Sequence, residues 1–320
     1  MKKFALPIAG IAFAMSAQSA SACGDVSITE MNWASARITT AVSGFLMEQG
    51  YGCTVTKLPS SIAPAVTSVA ETGKPDILTE VSVNSFPAFL EMVEDGRLLS
   101  LTNVLAGGLE EGWYLPASLV EEHPELATID GVLANPELVG GVFNNCPEGW
   151  GCRVKNDNLV KAFGFEDAGM EIFNHGSGET LAASIGSAVT DGEPWFGYSW
   201  SPSTAVGRFG LVAVDMGSFD ADAYACVSEA DCDNPQKTSY PASEVVTAVT
   251  PAFAEAEPEI TELMRNVSFP NKVMAELLAW QDENDADADE AAAHFLTNYQ
   301  NVWSGWVNDD AKQKLANLLQ

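Results

Sequence analysis

The segment from Cys146 to Cys152 reads Cys-Pro-Glu-Gly-Trp-Gly-Cys. Two cysteines this close can form a small ring through a disulfide, and the ring would hold Trp150 as a rigid face outside a core. Trp200 ends the later aromatic segment Trp-Phe-Gly-Tyr-Ser-Trp. A methylated cation spreads its charge over methyl groups and favours aromatic faces over single carboxylates. Rigid indoles from separate segments therefore indicate a site for a methylated cation.

The remaining tryptophans differ in context. Trp33 follows a predicted strand, where binding residues of open α/β sheets collect. Trp113 lies where the chain is expected to pass between lobes. Trp195 precedes Trp200 by five residues, so a regular strand would turn it to the opposite face, which favours a core role. Core packing is expected for three tryptophans on C-terminal helices: Trp280, Trp303 and Trp306.

Patterns for enzymatic chemistry or metal binding are lacking in the sequence. Its three histidines, His123, His175 and His294, are far apart and match no metal-binding spacing. There is no Gly-x-Ser-x-Gly elbow, P-loop or dinucleotide-binding glycine pattern. The sequence therefore predicts a binding protein with neither catalytic residues nor a cofactor.

The N-terminus has the pattern of a secretory signal peptide, residues 1–22. Lys2 and Lys3 precede a short apolar run, and Ala20-Ser21-Ala22 is a small-residue cleavage site. Cleavage there would leave Cys23 first, so lipidation of Cys23 is an alternative. Export favours an oxidising compartment and a periplasmic location.

Six cysteines allow 15 pairings. Neighbours in sequence favour Cys146 with Cys152 and Cys226 with Cys232, which leaves Cys23 with Cys53. The other pairings stay open at this point.

The chain is strongly acidic, with 15 Lys and Arg against 44 Asp and Glu and a net charge of −29. This argues against nucleic acid as a partner, because phosphate binding needs clustered basic residues. High solubility is the simplest interpretation, and a saline habitat is a stronger one.

Predicted strands and helices alternate along the chain, and these elements position the candidate residues. Strands are predicted over 26–31, 54–58, 76–81, 138–143, 171–173, 195–200, 211–215 and 244–250. Helices are predicted between them over 34–49, 62–71, 86–94, 155–162 and 178–188, and then over 251–264, 272–282, 289–298 and 303–319. The alternation is typical of parallel sheets covered by helices.

Two α/β blocks followed by helices indicate a chain that leaves a first lobe and later returns to it. The crossings are expected near 112–116 and 245–249. The predicted division is 23–113 with 246–320 for the first lobe, and 114–245 for the second.

At these residues the chain resembles the periplasmic binding proteins of glycine betaine, choline and proline betaine ABC importers. The matching segments are 24–28 with 32–35, the ring 146–152, 196–202, 267–271 and the helical tail to Trp306. Within the family, residues 131–141 and 174–181 are most similar to trimethylamine N-oxide binders of marine bacteria.

The resemblance implies a type II periplasmic binding protein fold: two α/β lobes, a hinge of two crossings and a helical C-terminus. It implies a tryptophan cage between the lobes, with Trp150 and Trp200 from the second lobe and Trp33 from the first. Gly151 and Cys152 would donate backbone hydrogen bonds to an anionic end of the ligand. The implied partners are a small methylated ligand and a membrane permease, with the protein acting as a monomer.

One position departs from the family pattern. Ser82 stands where the family usually has a tryptophan, in Glu80-Val81-Ser82. Trp113 is a candidate to replace that indole, and Trp195 is a further candidate for the site. A wider pocket is therefore expected, and the ligand is left open among glycine betaine, choline, carnitine, dimethylsulfoniopropionate, larger betaines and trimethylamine N-oxide. An exported enzyme acting on such compounds, or a ligand-sensing module of a receptor, are the alternatives.

Overall fold

The computed structural model describes residues 23–84 and 86–319. The predicted signal peptide, residues 1–22, lies outside the described residues. Two five-stranded sheets form the centres of two lobes. The strands are β1 (Asp25–Met31), β2 (Thr54–Ser60), β3 (Ile77–Ser82), β4 (Leu99–Asn103), β5 (Glu110–Pro116), β6 (Val142–Asn145), β7 (Glu171–Asn174), β8 (Gly197–Ser201), β9 (Leu211–Ala213) and β10 (Val245–Val249).

The first sheet has the order β2-β1-β3-β10-β4. Strands β1, β2 and β3 are parallel, as their helical connections require, and β10 runs antiparallel to β3 and β4. Strand β3 is buried along its whole length, so its polar side chains Thr79, Glu80 and Ser82 need hydrogen-bond partners inside the protein.

The second sheet has the order β7-β6-β8-β5-β9. Strand β6 pairs in parallel with β7 and β8, whereas β5 is antiparallel to β8 and β9. Both sheets therefore consist of a parallel group extended by antiparallel strands, and the predicted α/β class is confirmed.

The chain changes sheet twice. The first change lies between Asn103 and Glu110, ahead of the boundary expected after residue 113, because Glu110–Trp113 already pair with β8. The return crossing, expected near 245–249, lies ahead of β10, because Val245 already pairs with β3. The two crossing segments are joined by a bridge between Leu109 and Ser243. Two adjacent crossings are the geometry of a hinge.

Helices cover both sheets. They are α1 (Ala34–Phe45), α2 (Ile62–Thr72), α3 (Pro87–Glu94), α4 (Ala117–Glu122), α5 (Ile129–Ala134), α6 (Gly151–Phe163), α7 (Gly178–Asp191), α8 (Thr204–Phe209), α9 (Ala221–Val227), α10 (Pro251–Ala256), α11 (Pro258–Asn266), α12 (Asn271–Glu283), α13 (Ala288–Asn298), α14 (Gln300–Trp303) and α15 (Asp309–Leu318). Leu46–Tyr51 forms a π-helical turn, and Pro124–Ala127 and Pro136–Val139 form 3₁₀ turns.

The C-terminal helices are more divided than the sequence predicts. The helix expected over 251–264 is interrupted at Glu257, because Pro258 lacks an amide hydrogen and disfavours helical backbone in the preceding residue. The helix expected over 303–319 begins only at Asp309, where the Asn308 side chain caps it by accepting from Ala311 N–H. Trp303 and Trp306 lie in the first-lobe core, as predicted.

All six cysteines form disulfides. The pairs are Cys23–Cys53, Cys146–Cys152 and Cys226–Cys232, so the pairing of sequence neighbours is confirmed. The first pair uses the Cys23 sulfur that lipidation would modify. No helix within residues 23–84 and 86–319 is long and apolar enough to cross a membrane.

Candidate functional site

Three indoles predicted for the site meet between the lobes. The ring centroids of Trp33 and Trp150 are 5.4 Å apart, and those of Trp150 and Trp200 are also 5.4 Å apart. Both pairs are edge-to-face, with interplanar angles of 74° and 73°. This arrangement turns successive ring planes around a common space instead of stacking them.

Trp150 is held by the disulfide ring and by the helix that starts beside it. It occupies the N-cap of α6 with extended backbone (φ −84°, ψ 145°). Gly149 has φ 84°, and a Cβ there would come within 2.6 Å of Ser61 Oγ, so the turn is packed against the first lobe. The Trp150 indole N–H donates to Asn32 Oδ1 at 2.6 Å. The second-lobe indole is thus fixed by a first-lobe residue.

Trp200 is positioned by the pairing of β5 with β8. In this register Trp200 lies opposite Glu111, and Tyr198 lies opposite Trp113. Tyr198 and Trp200 are two residues apart and share one face of the sheet. The Tyr198 hydroxyl donates to Glu111 Oε1 at 2.6 Å. The pairing therefore places a tyrosine and a carboxylate beside the indole.

Trp33 is oriented by a buried carboxylate. Its indole N–H donates to Glu80 Oε2 at 2.8 Å, and the same oxygen accepts from Ser35 Oγ at 2.7 Å. Thr39 Oγ1 donates to Glu80 Oε1 at 2.8 Å. Glu80 is only 3% exposed. Burial raises the pKa of its carboxyl group above the usual 4.5, and the three hydrogen bonds oppose that shift.

The backbone of Glu80 is itself unusual. Its φ of 51° lies in the left-handed region, which a non-glycine residue rarely adopts. The pairing of β3 with β10 shifts register at this point: Val81 pairs with Val246, and Leu78 pairs with Ala248. Two residues of β3 thus oppose one of β10, which is a bulge. The bulge aims the Glu80 side chain at the indole of Trp33, and such conformations concentrate at functional sites.

A cavity of about 50 Å³ lies among these residues. It is lined by the three indoles, Glu80, Glu111, Ser82, Tyr198 and the start of α6 at Gly151 and Cys152. At about 10–15 Å³ per water, it has room for roughly four water molecules. A larger cavity of about 320 Å³ shares Trp33 and Trp200 and opens between α1, α7, α8 and α12.

A polar group occupies the wall at Ser82. The Ser82 hydroxyl lies 2.7 Å from the Ser243 hydroxyl and 3.4 Å from Glu111 Oε2. Ser82 ends β3, Ser243 lies on the return crossing, and Glu111 follows the outward crossing. Lys155 is fully buried, and its Nζ lies 5.1 Å from the ring centroid of Tyr224. Burial lowers the pKa of Lys155, and the charge of Glu111 opposes that shift.

The structure does not bring Trp113 to the cleft. The register places Glu111 opposite Trp200, so Trp113 lies two residues deeper in the sheet. Its side chain is fully buried, packs edge-to-face on four phenylalanines and donates from its indole N–H to Asn156 Oδ1 at 2.9 Å. Trp113 therefore does not replace the indole missing at Ser82.

Trp195 is also separate from the three indoles. It precedes β8, is 3% exposed, and its indole N–H donates to Ser184 Oγ at 3.1 Å. Trp195 is therefore a buried core residue, as its five-residue spacing from Trp200 favours.

Contacts outside the cavity hold the lobes together. Arg37 of α1 pairs with Glu179 of α7, and Arg208 of α8 pairs with Asp282 of α12. These side chains are about a third to a half exposed. Among the described residues there is no group of three or more His, Cys, Asp or Glu side chains arranged to hold a metal ion.

The family model of the substrate-binding domain of ABC-type glycine betaine transport systems matches residues 24–298. The chain belongs to this family. Its members are the substrate-binding components of ABC transporters for betaine-like ligands, and the predicted resemblance is confirmed. The match includes all the residues that line the small cavity.

Solved structures of the same fold cover nearly the whole chain. A glycine betaine/L-proline-binding protein (ProX) from Borrelia burgdorferi has a TM-score of 0.74 at 16% identity, covering 91% of this chain and 99% of its own. A choline-binding protein in complex with choline has a TM-score of 0.73 at 20% identity, covering 93% and 99%. Lactococcal OpuAC, closed and complexed with glycine betaine, has a TM-score of 0.70 at 17% identity, covering 89% and 100%. At these identities the comparison confirms the two-lobed fold.

The sequence-based prediction misses Glu111 and Tyr198, which bring a carboxylate and a phenol to the cavity, and several apolar lining residues such as Leu109. Tyr198 could have been found, because it is two residues before Trp200 and a strand returns to the same face at that spacing. The sequence around Glu111 gave no such signal. Strand β5 was not predicted, and its partner β8 lies far along the chain.

Proposed function

We propose that this protein captures a small methylated onium compound in the cavity enclosed by Trp33, Trp150 and Trp200. It then presents the compound to the membrane permease of an ABC importer, acting in the periplasm as a monomer and by binding alone. The observation that carries this proposal is the meeting of indoles from both lobes around one cavity beside the buried carboxylate of Glu80.

The indoles supply part of the binding free energy. A desolvated cation–π contact contributes about 1 to 2 kcal/mol, so three faces give roughly 3 to 6 kcal/mol. Micromolar affinity requires about 8 kcal/mol net. Burial of methyl groups and the charge of Glu80 are the remaining favourable contributions. Glu80 receives three hydrogen bonds, all from neutral donors, so a cationic ligand would supply its countercharge.

The start of α6 is suited to the opposite end of a ligand. Gly151 and Cys152 open this helix and line the cavity. The first amide hydrogens of a helix lack partners within it and carry the positive end of its dipole. An oxygen atom of the ligand can bind there while its methylated group lies among the indoles.

Calorimetric titration tests the proposal. The titrants are choline, glycine betaine, carnitine, dimethylsulfoniopropionate and trimethylamine N-oxide, with proline as an unmethylated comparison. At least one methylated compound is expected to bind with micromolar or tighter affinity and to remain chemically unchanged after incubation. Absence of binding by every methylated compound would contradict the proposed site, and turnover of any of them would contradict binding alone.

A further inference from the structure

The small cavity has one wall that differs in chemistry from the aromatic faces. Ser82, Ser243 and Glu111 form it, and we refer to them as the hinge-side wall. Ser82 and Ser243 are 5% and 3% exposed, and their hydroxyls are 2.7 Å apart. The wall lies at the bridge between the two crossings, which pairs Leu109 with Ser243.

Glu111 gives this wall the character of a hydrogen-bond acceptor. Its Oε1 accepts from the Tyr198 hydroxyl at 2.6 Å, whereas Oε2 has a much longer contact of 3.4 Å with Ser82 Oγ. An ionised carboxylate can accept about four hydrogen bonds and donate none. The Oε2 atom can therefore take a short hydrogen bond from a ligand group in the cavity.

The charges around the wall favour the same kind of ligand. Lys, Arg and His are absent from the described residues that line the cavity, whereas Glu80 and Glu111 line it from opposite lobes. Lys155 is not among the lining residues, but it is buried close enough to Glu111 for the two charges to interact. A ligand carboxylate or N-oxide oxygen at this wall would face the carboxylate oxygen of Glu111. No hydrogen bond can form between them, because neither oxygen carries a hydrogen to donate. A hydroxyl can donate its hydrogen to Glu111 while its oxygen accepts from the amides at the start of α6.

We propose that Glu111 is a specificity-determining residue, whose carboxylate accepts a hydrogen bond from a hydroxyl group on the ligand. The preferred ligand class is then a methylammonium cation carrying a hydroxyl, in preference to carboxylate inner salts and N-oxides. This inference rests on the proposed function, because it assigns the second end of a ligand whose methylated end lies among the indoles.

The test is a calorimetric comparison of choline with glycine betaine, which share a trimethylammonium group and differ in the polar end. The unaltered protein is expected to bind choline at least tenfold more tightly. Glu111→Gln keeps the size of the side chain and removes its charge, so the preference should fall at least fivefold, mainly through weaker choline binding. Glu110→Gln is the matched control: the neighbouring side chain is exposed, and the preference should be unchanged.

Three results would overturn the inference. The first is tighter binding of glycine betaine by the unaltered protein, which needs no variant and leaves the proposed function intact. The second is an equal loss of affinity for both ligands in Glu111→Gln, which would indicate that Glu111 has only a structural role. The third is absence of binding by both ligands and by the other methylated compounds, which removes the proposed function as well.

Discussion

The two sides of the cleft hold their indoles by different means. On the second-lobe side, Trp150 is held by a disulfide ring and Trp200 by strand pairing above an aromatic core. On the first-lobe side, Trp33 is held by a hydrogen bond to Glu80, a buried carboxylate on strained backbone. Covalent and packing constraints are independent of pH over a wide range, whereas a carboxylate hydrogen bond depends on ionisation.

The difference separates shape from charge. The second lobe supplies two rigid aromatic surfaces and the carboxylate of Glu111, and the first lobe supplies a third indole that is oriented by the buried carboxylate of Glu80. Mutations of the second-lobe tryptophans should change stability or contact area, while changes at Glu80 should alter the response to ligand charge and pH.

The largest expected effect is on stability and concerns the core beneath Trp200. Trp113→Ala should lower the free energy of unfolding by about 3–5 kcal/mol, because it leaves a cavity among four phenylalanines and removes a buried hydrogen bond to Asn156. Denaturant unfolding measures this free energy. Trp113→Phe should lose less stability than Trp113→Ala and should retain ligand affinity within about threefold. A loss of affinity in a well-folded Trp113→Phe variant would place Trp113 in the binding site after all.

The next effect concerns the aromatic surface itself. Trp150→Ala should weaken binding of the preferred methylated ligand at least tenfold, because it removes the indole that contacts both of the others. Isothermal titration calorimetry measures the affinity. Trp280→Ala is the control, since Trp280 stacks on His294 away from the cleft with ring centroids 4.0 Å apart. Equal affinities for the two variants would rule out a role for Trp150.

A third prediction concerns pH and the first-lobe side. Burial raises the pKa of Glu80, and a bound cation would favour its ionised form and lower that pKa. Affinity should therefore be highest when the pH is above the pKa that Glu80 has without ligand. It should fall as the pH drops through that pKa, by at most tenfold per pH unit. Tetramethylammonium suits this titration because its charge is independent of pH. Glu80→Gln should lose this pH dependence; a Glu80→Gln variant that keeps it would contradict the assignment to Glu80.

The smallest effect is expected from the ion pairs between the lobes. Arg37→Met should weaken binding by less than about 1 kcal/mol, because exposed ion pairs contribute little and salt screens them. Affinity measured at low and high salt should show that the difference shrinks as salt increases. A loss of tenfold or more that persists at high salt would mean that Arg37 affects the cavity directly.

Much of the fold was predictable because its signals are local. Apolar alternation located β1, cysteine spacing found the disulfide ring, and glycines marked several helix ends. Pro258 could have divided the helix expected over 251–264, since proline disfavours helix in the residue before it. The π-helical turn at Leu46–Tyr51 gave no local signal and was included in a longer predicted helix.

The site was only partly predictable because half of it depends on long-range pairing. Trp33, Trp150 and Trp200 could be chosen from turn and strand-end positions. The exclusion of Trp113 and the inclusion of Glu111 depend on the register of β5 against β8, and β5 was not predicted. The orientation of Glu80 depends on a bulge opposite β10, a strand far along the chain.

The most direct test of the central claim compares choline with 3,3-dimethylbutan-1-ol, in which carbon replaces the charged nitrogen and the shape is retained. If the indoles and Glu80 bind a positive charge, calorimetry should show choline binding at least tenfold more tightly. Affinities of the two compounds within about threefold of each other would contradict the account, because the cavity would then be recognising only an apolar shape.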